Sequence, residues 1–131
     1  MQACFTVNDG CLASVMETAV QGTCSGDEKT EKLRRFWNSL YHWLIQHEDE
    51  TVFFHRYCDR PGSFLSEIQN SKSFRTYIFA MQQLGDETGD HMLLWLHGFL
   101  GTVRYAKYVI DGVLPNNSQT ERNIFSLLFR L

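Results

Sequence analysis

Between Met92 and Ile110 the apolar residues fall on two stripes. One, Met92, Trp95, Leu96, Phe99, Val103 and Ile110, recurs with the period of a helix face and predicts burial within the subunit. The other runs Leu94, Gly98, Gly101, Tyr105 and Val109. A helix that is apolar on both sides needs two partners, and glycines about one turn apart let a second backbone come close. The chain then breaks at Asp111-Gly112-Val113-Leu114-Pro115, and six of the last eight residues, Ile124 to Leu131, are apolar. Left bare, these two helices would form a patch too large for a soluble monomer. They are therefore expected to build a homodimer interface through Leu94, Gly98, Gly101, Tyr105, Ile124, Leu127, Leu128 and Leu131. The alternative is an ordinary core helix that tolerates its glycines.

The rest of the pattern is also helical. Asn8-Asp9 reads as the cap of a first helix that carries Leu12, Val15, Met16 and Ala19 on one face and ends at Gly22. Ser25 to Glu28 forms a capping box, and the helix it opens turns Leu33, Phe36, Trp37, Leu40 and Leu44 inward as far as about His47. An acidic break, Glu48-Asp49-Glu50, precedes a short helix with Val52, Phe53 and Tyr57, which Arg60-Pro61-Gly62 ends. Phe64, Leu65 and Ile68 suggest another short helix. Phe74, Tyr77, Ile78 and Met81 repeat at helical spacing up to Gly85. Asp86-Glu87-Thr88 caps the long helix, and a second capping box, Ser118 to Glu121, starts the last one. The expected fold is all-α, a bundle of about seven helices in one domain spanning residues 1–131.

Composition narrows the function. A formal net charge of -3, with no basic cluster tighter than Lys32, Arg34 and Arg35, argues against a general nucleic-acid surface. The apolar run from Met92 to Leu100 contains His97 and is followed by Arg104 and Lys107, too short to cross a bilayer. With no cationic start of a signal peptide and no C-x-x-C pair, the chain is expected to be cytoplasmic, with Cys4, Cys11, Cys24 and Cys58 as free thiols.

Catalytic signals are sparse. There is no nucleophile elbow, no glycine-rich phosphate loop after a strand, and no histidine pair at ligand spacing. His55 and Cys58 share a helix face and could hold a metal with outside help, but a lone imidazole beside a small buried thiol is the plainer reading. The acids at 48–50 and at Asp86, Glu87 and Asp90 flank helix starts and read as caps. No enzyme activity, metal or cofactor is expected.

What remains is an abundance of aromatic side chains on short helices, which suits a small-molecule pocket between helices. Trp37, Tyr41, Phe54, His55, Cys58, Tyr77, Met81, Trp95 and His97 are the candidate lining, and its character points to an apolar or aromatic effector. For each, a satisfied core position is the competing reading.

Three stretches carry a resemblance. Phe5-Thr-Val-Asn-Asp-Gly-Cys-Leu12 is similar to an aromatic and polar turn that leads out of a DNA-binding head, although Asn8 stands where Lys is usual. Phe36 to His47, followed by Phe53-Phe-His-Arg-Tyr57, is similar to a helix that ends in an acidic break and an aromatic pair. Leu100-Gly101 through Pro115 and the closing helix look like two dimerisation helices. Together they resemble the C-terminal regulatory domain of TetR-type transcriptional regulators. The resemblance implies an effector pocket among the central helices and a two-fold interface that pairs the long and last helices as a four-helix bundle. It also implies that residues 1–8 are the remnant of a junction to a helix-turn-helix head that this chain lacks, so no nucleic acid would be bound through this chain alone. A freestanding helical protein–protein interaction module is the alternative.

Overall fold

The computed structural model describes residues 2–21, 29–58, 69–84 and 90–129. Among them are six helices and no strand: α1 (Gln2–Gln21), α2 (Lys29–Gln46), α3 (Glu48–Cys58), α4 (Lys72–Gln83), α5 and α6 (Ser118–Phe129). Helix α5 is continuous but not uniform, since a π-turn at Trp95–Phe99 joins His91–Leu94 to Leu100–Ile110. The Ser25–Glu28 box, the short helix expected around Phe64 to Ile68 and the Asp86–Thr88 cap lie outside the described residues.

The helices form where the apolar spacing predicted them. Phe36, Trp37, Leu40 and Leu44 on α2 and Phe74, Tyr77, Ile78 and Met81 on α4 are buried as one face each. Helix α1 packs on α4 and α2, and the second half of α5 packs on α2 and α3. Only His47 separates α2 from α3; there the buried Thr51 hydroxyl lies 2.7 Å from the Leu44 carbonyl and 2.9 Å from that of His47. The His47 carbonyl already accepts the Thr51 N–H at 3.0 Å, so the shorter contact lets the hydroxyl donate to the Leu44 carbonyl near the end of α2.

Two caps differ from the sequence expectation, and a third, Asp90, is among the acids read as caps. Helix α1 runs straight through Asn8-Asp9, so Asp9 is not its cap. Asp90 caps α5 by accepting the Leu93 N–H at 3.0 Å. Asn117, rather than Ser118, caps α6, accepting the Thr120 N–H at 2.8 Å, while Glu121 turns away to His42 instead of closing a box. The predicted stop after Ile110 does form: Gly112 has φ +80°, its N–H reaches the Val109 carbonyl, and the Val113 N–H reaches that of Tyr108. This left-handed glycine closes a Schellman motif and sends the chain back antiparallel into α6.

One residue of the inner stripe is on the wrong side. Trp95, Phe99 and Val103 are fully buried, but Leu96 is 37% exposed. The π-turn adds a residue to the local repeat, so Trp95 stacks directly over Phe99, with centroids 5.3 Å apart, and Leu96 rotates outward.

Candidate functional site

Four helices deliver the candidate pocket side chains to the interior. Trp37 and Tyr41 come from α2, Phe54 and Cys58 from α3, Tyr77 and Met81 from α4, and Trp95 from α5; all belong to one buried cluster. The rings meet edge to face and offset. Phe99 takes Phe54 at 5.7 Å and Tyr77 at 5.6 Å, both near perpendicular, and Phe74 lies 6.0 Å from Trp95. A second group stacks Trp37 on Tyr41 at 4.8 Å and tilts Phe125 of α6 against Trp37 at 5.4 Å. Burial, with the Glu121 carboxylate nearby, raises the Tyr41 phenol above its ordinary value.

The other two candidate residues stand apart from this cluster. His55 is half-buried on α3. His97 sits on the side of α5 that faces α6, where its Nε2 lies 2.7 Å from the Leu128 carbonyl. There the imidazole serves one of the open carbonyls at the end of α6.

Polar groups within the apolar interior are few and specific. The Trp37 indole donates to Thr102 Oγ1 at 2.9 Å, and the Thr102 hydroxyl donates to the Gly98 carbonyl at 2.6 Å, inside the π-turn. The relay ties α2 to the irregular turn of α5. Trp95, fully buried, has an indole Nε1 with no acceptor among the described residues. An unmet buried donor costs about 1–3 kcal/mol, and a π-turn is a frequent accompaniment of a functional site.

A carboxylate anchors the other side of the core. Asp9, buried on α1, accepts the backbone N–H of Lys72 at 2.8 Å and of Ser73 at 3.0 Å, as well as the Ser73 hydroxyl. Ser71 accepts the Phe74 N–H at 3.2 Å. The start of α4 is thus capped by its own Ser71 and by a side chain more than sixty positions earlier. Burial and then the nearby Asp9 charge push the Cys58 thiol up to about 12, so it stays protonated at neutral pH. No three His, Cys, Asp or Glu side chains among the described residues converge as metal ligands.

The glycine stripe of α5 is accounted for largely within the chain. A Cβ on Gly98 would lie 2.0 Å from the Tyr77 hydroxyl oxygen, and one on Gly101 2.9 Å from Leu128 Cδ2. Both glycines admit the molecule's own helices, α4 and α6. Ile124 and Leu128 are buried against α5, whereas Leu94 and Tyr105 are half-buried and Leu127 is 64% exposed. Leu93, 60% exposed, and Leu96 lie at the same end of the antiparallel pair as Leu127. Leu131 is outside the described residues. Among the described residues of this hairpin, exposed apolar side chains stand at its open end, Leu93, Leu96 and Leu127, and at its turn, Val113, rather than along the glycine stripe; Phe79 on α4 is exposed as well.

Sequence reasoning missed Asp9, Ser73 and Thr102. Thr102 could have been found, because a Thr four residues after a Gly in a buried helix can bond back to its carbonyl. Asp9 offered no local signal. No described helix is long and apolar enough to cross a membrane. Comparison with family models, with curated proteins and with solved structures finds no match to this chain.

Proposed function

We propose that this chain is the effector-binding and dimerisation domain of a TetR-like transcriptional regulator, which takes an apolar or aromatic molecule among α2 to α5. The observation that carries the ligand reading is the Trp95 indole, fully buried in a cluster of rings beside a π-turn, with no acceptor among the described residues. A ligand with an apolar body and one carbonyl or ether oxygen would satisfy that donor and stack on the rings around it. The dimer reading rests on Leu93, Leu96 and Leu127, exposed together on the pair of helices that the resemblance assigns to the two-fold interface.

Thermal shifts with aromatic acids, quaternary amines and fatty acids test the first half. A stabilising compound should bind about tenfold more weakly to Trp95→Phe, which keeps a ring and removes the N–H. If no compound raises the melting temperature, or if Trp95→Phe binds unchanged, the pocket is misplaced. For the second half, Leu93→Glu and Leu127→Glu place charge on exposed positions and should give folded monomers. A dimer that survives both rejects the assigned face. A wild-type monomer that loses a different protein partner on the same substitutions would favour the freestanding interaction module.

A further inference from the structure

At the edge of the aromatic cluster, a cleft of about 290 Å³ lies between α2 and α6. Arg34 and Asn38, one turn apart on α2, make one wall; Ser118, Arg122 and Ser126, spaced four apart on α6, make the other; buried Phe125 lies between them. The Arg34 guanidinium sits 5.6 Å from the centre of the Phe125 ring. A cation–π contact of this kind uses no N–H donor, so the guanidinium can still donate to an anion. Arg122 donates to the neutral Gln119 side chain at 2.9 Å. Neither arginine has a carboxylate partner among the described residues.

The one acid of the cleft among the described residues, Glu121, is engaged elsewhere: its Oε1 lies 2.7 Å from His42 Nε2. Two cations therefore face one carboxylate that is already paired. Ser118 opens α6, so its N–H and that of Gln119 precede the helical ladder and add positive potential at the same end. The volume suits a molecule of one ring, at the small end of ligand sites.

We propose that this cleft binds a small organic oxyanion, a planar ring that bears one carboxylate or phosphate, with Arg34 and Arg122 as its charge partners, Ser118 as a donor and Phe125 as its apolar contact. The site adjoins the pocket proposed among the central helices through the Trp37–Phe125 contact but does not depend on that reading.

The test is a titration of the ¹⁵N-labelled chain with benzoate, phenyl phosphate and neutral benzamide, followed through the amides of residues 118–122 and the Trp37 indole, which packs on Phe125. Saturable shifts confined to these groups are expected with one or both anions and not with benzamide. Arg34→Gln and Arg122→Gln should each weaken binding about tenfold, as loss of a charge-assisted contact does, and Glu121→Gln should strengthen it. Because Arg122 contacts no described ring, its variant keeps the test meaningful if Arg34→Gln disturbs packing. Absence of saturable shifts with both anions, an equal response to benzamide, or unchanged affinity in both arginine variants would overturn the proposal.

Discussion

Asp9 joins two helices through one carboxylate, and its environment decides how much it matters. Replacing it with Ala would leave the buried Ser73 N–H and the half-buried Lys72 N–H without their acceptor, so a loss of about 2–3 kcal/mol is expected in urea unfolding. Asp9→Asn, which retains one acceptor oxygen, should lose less. Cys58 makes a different prediction. Its pKa is raised to about 12 in the fold, so the native state holds a proton that the unfolded chain releases above about 8.5. Stability should therefore be full below that pH and fall as pH rises from about 8.5 towards 12. Urea midpoints compared at pH 8 and pH 10 should drop for the natural chain and drop less for Cys58→Ala. Cys11 is exposed and should react with a thiol reagent long before Cys58, as peptide mapping would reveal. The free, buried Cys58 thiol was legible in the chain, but the Asp9 contacts were not, because they join positions that only the packing of α1 on α4 brings together.

At the scale of the element, the glycines separate by what surrounds them. Gly98→Ala would drive a methyl into the Tyr77 hydroxyl and should destabilise by about 1–3 kcal/mol. In a Tyr77→Phe background the same change should cost much less, and a double-mutant cycle would measure the difference. Gly10, in the middle of α1 with nothing within 4 Å of a built Cβ, should instead gain up to about 1 kcal/mol as Ala. The long helix itself was readable from its apolar spacing, as were α2 and α4, whose inward residues are those the period selects. The π-turn was not readable: a regular period assigns Leu96 to the core, and only the extra residue at Trp95–Phe99 turns it out. The cap of α6 was read one step off, because Asn117 lies beside Ser118, which is equally able to cap.

For the whole molecule, the sequence made the all-helical architecture legible through its spacing and its breaks, and the aromatic cluster through its composition. It did not show which face stays open, since Gly98 and Gly101 could admit either the chain's own helices or a second copy. Their close neighbours are Tyr77 and Leu128. The claim that joins the ligand and dimer readings is most directly tested by a native mass spectrum of the purified 15.3 kDa chain, followed by a denaturing spectrum of the same sample. The account predicts a dimer mass that takes up an apolar or aromatic compound identified by thermal shift and releases it on denaturation. A monomer at every accessible concentration, with no compound retained, would contradict it.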